Sequence, residues 1–450
     1  MKVKLFVAVA ALFAALPMIA GTLTFEYSSN RASAIYKAGE KIVLTARLLE
    51  DGKPANGKFI RYKLYHDHKV VKRGDVPASG ELTVETSGKK PGWIFIQTWA
   101  VGADKKFIKQ NVTRRGKTSI GLVSGGIGAM VEPEKITTPL AEPADFDEFW
   151  NKVKSELAAV PMKELEKVQL KKYTKVKVYD IKISCAGEKP VSGYLCMPVD
   201  AKAKSCPAIV SFHGAGVRSS GIPAGWAAKG LIALDINAHG IVNGKPQKFY
   251  DDLRKNYYYT TLDANRKTRY AHWNKHDRDL YYFKGMYMRL MRALEYVKSL
   301  PEWDGKHLIV TGGSQGGAQV LAACALDQDI SFAKCGVPAQ CDHSGCLGGR
   351  RSGWPALYKC VNGKPEDPAF AKCAMYYDGA YFAKRIKCPI YFYTGFMDTV
   401  CPPTSVYAAY NNVPAGVEKA IQCTPTASHS APGTQANKAL DAYVKKALAK

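Results

Sequence analysis

The run Leu308-Ile309-Val310-Thr311-Gly312-Gly313-Ser314-Gln315-Gly316-Gly317 leads an apolar strand straight into a helix, with a serine at the junction. This is a Gly-x-Ser-x-Gly nucleophile elbow in the strand-to-helix context that gives the pattern its meaning. A serine on so tight a turn has a strained backbone, and side chains in place of Gly312 and Gly316 would strike the neighbouring strand and helix. The turn lifts the serine Oγ out of the sheet at the positive end of the following helix, where negative charge developing on a carbonyl oxygen is stabilised. A chain with this junction needs a sheet with helices packed on it.

A hydroxyl becomes a useful nucleophile when a base accepts its proton. In elbow enzymes the acid and the histidine follow the serine in the order Ser, Asp, His. Of the nine histidines, His429 alone lies C-terminal to His343, so chain order nearly selects it. Asp398 directly follows the apolar strand Ile390 to Gly395, which places its carboxylate at the strand's C-terminal edge; Asp342 and Asp378 are reserve candidates for the acid. The strand Ile209 to Phe212 runs into His213-Gly214-Ala215-Gly216, so the amides of Ala215 and Gln315 are the expected oxyanion hole. His213 reads as a loop-organising residue. Tyr257 to Tyr259 and Tyr281 to Tyr282 could line a sugar site, although tyrosines on the apolar face of a helix are more often core.

The two halves of the 450-residue chain carry different patterns. From Leu23 to about Leu122, short alternating segments (Lys41 to Leu48, Phe59 to Tyr65, Glu81 to Thr86, Trp93 to Trp99) are divided by turns such as Asp51-Gly52 and Asn56-Gly57. This predicts an all-β sandwich of immunoglobulin type over 21–122. Gly-rich Ser124 to Gly128 and the prolines up to Pro143 read as a linker over 123–142. Beyond it, Phe146, Phe149, Trp150 and Val153 lie at helical spacing with Asp145 as a cap. Strand candidates (Ala208 to Phe212, Leu231 to Ile236, Leu308 to Thr311, Ile390 to Gly395) then alternate with helix candidates (Asp279 to Leu300, Gln315 to Leu326), which predicts an α/β domain over 143–450 with a mostly parallel sheet. Every candidate catalytic group lies beyond the linker, so turnover of a small ester is expected to be independent of the β-domain.

Residues 1–20 carry Lys2 and Lys4, an apolar run from Leu5 to Leu16, and Ala20 before Gly21. This reads as a signal peptide, too short to span a bilayer, which predicts a secreted or periplasmic protein without a membrane anchor. All twelve cysteines fall between Cys185 and Cys423, and an exported chain with that even count permits up to six disulfides. The cluster Cys335, Cys341, His343 and Cys346 has no zinc-site spacing, so neither a metal nor an organic cofactor is expected. The net charge is +25, but the basic residues are spread along the chain without a basic helix, which argues against nucleic acid as a partner.

From about Pro143 to the C-terminus the chain resembles the acetyl xylan esterase and cephalosporin C deacetylase family of carbohydrate esterases. The likeness rests on Pro143-Ala144-Asp145-Phe146-Asp147-Glu148-Phe149-Trp150, Phe212-His213-Gly214, Tyr257 to Thr260, Gly312 to Gly317, and Asp398 through Cys401-Pro402-Pro403-Thr404 to Asn411. The resemblance implies an α/β-hydrolase fold, a triad of Ser314, Asp398 and His429, oxyanion amides at Ala215 and Gln315, acetylated carbohydrate as substrate, and a homo-oligomer. The chain departs from the family at Asn237-Ala238-His239-Gly240, where the family has Arg-Gly-Gln. It departs again at Ser430, where the family has glutamate, and at Ala215, where such proteins usually have tyrosine. Other serine hydrolases on this fold, acting on aromatic or methyl esters or as exopeptidases, and a non-catalytic glycan binder are the competing readings.

Overall fold

The computed structural model describes residues 21–114, 117–258, 261–263, 266–267 and 269–449; the signal-peptide reading lies outside them. The alternation read in the N-terminal half becomes two sheets, antiparallel except where Ile35–Tyr36 runs parallel to Ser124–Val131. One pairs Ile42–Glu50 with Leu23–Ser29, Leu82–Thr86 and Lys53–Pro54. The other runs in the order Ile35–Tyr36, Ser124–Val131, Gly92–Val101, Phe59–His66, Lys69–Pro77. Ile42, Leu44, Ala46 and Leu48 on the first sheet and Ile60, Leu64, Ile94 and Ile96 on the second are buried in one core. Their spacing of two is the pleat of a strand with one face inward. Gly92–Val101 departs from that alternation, with Trp93, Ile94, Phe95 and Ile96 all buried in succession. A strand buried on both faces is covered on both, and here the second cover is the C-terminal domain: the Trp93 indole donates to the Phe396 carbonyl at 2.6 Å.

The Gly-rich stretch is not a linker. Ser124–Val131 is a strand in register with Gly92–Val101, from Ser124 opposite Trp99 to Val131 opposite Gly92. Its glycines serve close approach rather than flexibility, since a Cβ on Gly128 would lie 2.2 Å from the Phe396 carbonyl oxygen. The chain then lies along the C-terminal domain, where the Asn411 side chain donates to the Pro133 and Ile136 carbonyls and Arg350 donates to that of Thr137.

The C-terminal domain is built on a nine-stranded sheet in the order Glu164–Gln169, Lys177–Ile183, Val191–Met197, Ile232–Ile236, Cys206–Phe212, Trp303–Gly313, Phe332–Gly336, Ile390–Gly395, Lys419–Thr424. The first three are antiparallel to their neighbours and the rest run parallel. Parallel strands end on one side of the sheet, so the loops after Phe212, Gly313, Gly395 and Thr424 gather at one edge, the usual position of a site in an open α/β sheet. The helix Gln315–Leu326 follows the central strand and is buried along its whole length.

Phe146–Ala158 forms the helix expected there, with Phe146, Phe149, Trp150 and Val153 inward. Trp150 packs on Tyr287, Tyr377 and Phe382 and donates its indole N–H to the Tyr376 carbonyl, so its truncation to alanine is expected to cost about 3–5 kcal/mol. Asp145 sits at the cap position without capping by its side chain. Its carboxylate instead pairs with Arg278 at 2.7 Å and accepts from the Tyr376 hydroxyl.

The cysteines pair once. Cys346 and Cys360 form a disulfide, and the other ten are free thiols, most of them buried. The expectation of up to six bridges gives way to a core in which cysteine acts as a small apolar side chain. Among the described residues no helix is long and apolar enough to cross a membrane.

Candidate active site

Ser314 closes the strand Trp303–Gly313 with φ 60° and ψ −124°, a conformation disfavoured for a residue with a side chain. The turn is held because the Ser314 amide donates to the Gly336 carbonyl while its own carbonyl accepts from Ala318 and Ala339. A Cβ on Gly316 would lie 2.1 Å from the Phe212 carbonyl oxygen, so that glycine is required for helix and strand to approach so closely. The Ser314 Oγ, projected out of the sheet, lies 2.9 Å from His429 Nε2.

His429 stands in the loop after Lys419–Thr424, and its Nδ1 is 2.7 Å from Asp398 Oδ2. An ionised carboxylate only accepts, so Nδ1 carries the proton and Nε2 is free to accept from the serine hydroxyl. Asp398 is fully buried, and its second oxygen accepts from the Val400 and Cys401 amides at 2.8 and 3.0 Å. A buried carboxylate costs little when its lone pairs are filled in this way. Ser314, Asp398 and His429 therefore converge, from loops after three different strands.

The reserve acids do different work. Asp378 caps Gly379–Ala383 through the Ala380 amide and also accepts from the Asp342 and His343 amides, and burial pushes its pKa up to about 6. Asp342 pairs with Arg350 at 2.8 Å while burial pushes its pKa up to about 7. Neither is bonded to His429.

Gly214 comes within van der Waals reach of the serine turn, its Cβ position 3.6 Å from Ser314 Cβ, which brings the Ala215 loop beside the nucleophile. Gln315 opens the helix, with an amide that has no helical partner by position. Its side chain is buried and accepts from the Tyr270 hydroxyl at 2.5 Å. His213 organises its loop, contacting the Gly214 carbonyl through Nδ1 and accepting from the Ala238 amide through Nε2. Burial lowers its pKa to about 4, which keeps it neutral.

Ser314 and His429 open into a pocket of about 720 Å³, walled by Arg218, Val337, Trp354, Tyr393 and Val400. Tyr393 and Val400 come from the strand Ile390–Gly395 and the loop after it, whereas Arg218, Val337 and Trp354 reach the wall from loops in distant parts of the chain and carry no sequence pattern. Tyr258 and Tyr282 pack with Tyr270 around the His239 ring and Tyr281 is buried, whereas Tyr257 is exposed; none of these four members of the tyrosine runs walls this pocket. Tyr259 lies outside the described residues.

The sequence profile of the acetyl xylan esterase family (AXE1) matches residues 134–446, well over half the chain. The chain belongs to the acetyl xylan esterase family. That membership makes it a serine carboxylic ester hydrolase of the carbohydrate-esterase kind. Among relatives, it is 29% identical over 408 residues to the acetyl esterase Axe7A of Xylanibacter ruminicola, covering 89% of this chain and 85% of that one. An alignment of that length cannot fit within 134–446, so the likeness to this relative reaches into the β-domain. Among solved structures, an acetyl xylan esterase from Paenibacillus sp. R4 superposes with a TM-score of 0.58 at 24% identity, covering 70% of this chain and 98% of that one. Acetyl xylan esterase 1 from Thermoanaerobacterium sp. gives 0.58 at 23%, covering 71% and 98%. These two show the α/β-hydrolase fold for the esterase part of the chain.

Proposed function

We propose that this acetyl xylan esterase family member is an exported enzyme that removes acetyl groups from decorated xylan-type polysaccharide or oligosaccharide through an acyl-enzyme. The observation that carries the reading is the unbroken relay from Ser314 Oγ to His429 Nε2 at 2.9 Å and from His429 Nδ1 to Asp398 Oδ2 at 2.7 Å. In this mechanism His429 takes the Ser314 proton as Oγ attacks the acetyl carbonyl, and Asp398 stabilises the imidazolium. The Ala215 and Gln315 amides hold the tetrahedral oxyanion. His429 then returns the proton to the departing sugar oxygen, leaving the acetyl on Ser314. Water, activated by the same imidazole, attacks the acyl-enzyme and releases acetate. The acetyl assignment is supported by the family and by the relative called an acetyl esterase.

The test is acetate release across acetylated xylan, mannan, pectin and chito-oligosaccharides. Release from xylan-type substrates at the highest kcat/KM is expected. Absence of release from all four, with turnover of a peptide instead, would overturn the carbohydrate assignment.

A further inference from the structure

The β-domain makes its contacts with the catalytic domain beside two particular loops. Trp93, 1% exposed, donates its indole N–H to the carbonyl of Phe396, two residues before Asp398. The Gly128 amide donates at 2.9 Å to the carbonyl of Pro425, four residues before His429. A Cβ on Gly128 would lie 2.2 Å from the Phe396 oxygen, and one on Gly126 would lie 2.3 Å from Met397 Cε, so the strand Ser124–Val131 is pressed onto the segment that carries the acid. Farther off, His68 Nδ1 contacts the Gly349 carbonyl at 3.0 Å.

These contacts fall where the catalytic sheet has least support of its own. Asp398 and His429 follow Ile390–Gly395 and Lys419–Thr424, the last two strands, and the latter is the sheet edge. A loop beyond an edge strand has a neighbour on one side only, and the β-domain supplies the other. Its two donors satisfy the carbonyl of Phe396, a buried residue, and that of half-buried Pro425, and a buried carbonyl left without a partner costs about 1–3 kcal/mol.

We propose that the N-terminal β-domain is a positioning element for the catalytic acid and base, with Trp93 and Gly128 holding the Phe396–Asp398 and Pro425–His429 segments in the register the relay from Ser314 requires. The proposal rests on the catalytic reading above. It reverses the expectation that small-ester turnover is independent of the β-domain, because that expectation considered which domain carries the catalytic groups and not what holds them in place.

The test uses the full-length mature protein. Trp93→Phe keeps an aromatic ring against Phe95, on which Trp93 stacks at 4.1 Å, and deletes only the donor. Gly128→Ala is the second variant, forcing the strand off the Phe396 carbonyl, and Arg47→Ala, at an exposed ion pair with Glu81, is the control. With p-nitrophenyl acetate, Trp93→Phe and Gly128→Ala are expected to lower kcat per titrated active site by about 10- to 100-fold, with KM within about twofold, because small misplacements of catalytic groups cost that much. Arg47→Ala should match wild type. Folded Trp93→Phe and Gly128→Ala proteins with wild-type kcat and KM, differing only in melting temperature, would overturn the proposal. That result alongside an inactive Ser314→Ala would sink the positioning role alone, whereas an active Ser314→Ala would sink the catalytic reading itself.

Discussion

Asp398 and His429 are joined twice, once through their side chains at 2.7 Å and once through the backbones that carry them. The Phe396 amide donates to the Thr424 carbonyl at 3.0 Å and the Met397 amide to the Ala427 carbonyl at 2.9 Å, so the acid loop and the histidine loop are hydrogen-bonded along their length. A carboxylate fixed in this way fixes the imidazole tautomer, which is its main service to the nucleophile.

Asp398→Asn is therefore expected to keep the fold and to lower kcat by on the order of 10⁴, through the wrong tautomer. Asp378→Asn and Asp342→Asn should lower the melting temperature and leave kcat per folded molecule within about tenfold of wild type. Parallel melts and p-nitrophenyl acetate kinetics check both. A kcat loss in Asp378→Asn without loss of stability would move the acid assignment there.

Stability should carry a mark of the buried imidazoles. His343 is buried with its Nε2 2.6 Å from Gln340 Oε1, and burial lowers its pKa to about 3, below the unfolded value of about 6.5. The unfolded chain takes up this proton before the folded one does, so the neutral ring's contribution is full above pH 6.5 and is lost as pH falls toward 3. His343→Gln lacks that titration. The melting-temperature difference, wild type minus variant, should be largest at neutral pH and shrink below pH 6.5. A difference that stays constant from pH 7 to 4.5 would refute this.

The acyl group should be small. Trp354 and Val400 wall the pocket beside Ser314, and the sequence between Gly214 and Ser314 carries no long apolar lid segment. Overpacking costs about 1–3 kcal/mol, so kcat/KM for p-nitrophenyl esters should drop by about 10- to 200-fold from acetyl to butyryl, and Trp354→Ala should narrow that gap. Faster turnover of butyryl or octanoyl esters than of acetyl would end the deacetylase assignment and leave the serine-hydrolase assignment standing.

What the sequence made legible was local. The elbow at Ser314 is a short motif with strand before and helix after, and chain order then left one histidine and a short choice of aspartates. Ile390–Gly395 and Gln315–Leu326 were readable because each is apolar and bounded by turn residues. What escaped was set by contacts between distant segments. Ser124–Val131 looks like a linker because its glycines carry no hydrophobic pattern, and only the nearness of Tyr27 to Gly125, of Ile96 and Met397 to Gly126 and of Phe396 to Gly128 explains why they are glycines. Trp354 and Arg218 reach the pocket from loops without periodicity. Glu164–Gln169 is an exposed edge strand with no apolar face to announce it. The cysteines were misleading because export suggests disulfides, whereas core packing had already used most of the thiols.

The central claim is that acetyl passes through Ser314. Its most direct test is mass spectrometry of the mature enzyme, acid-quenched during steady-state turnover of an acetylated xylo-oligosaccharide, with peptide mapping and with Ser314→Ala in parallel. The account predicts an acetyl group on the peptide carrying Ser314, absent from the variant, whose kcat should be lower by about 10⁶. An acetyl group on another residue, or a Ser314→Ala enzyme within tenfold of wild type, would contradict it.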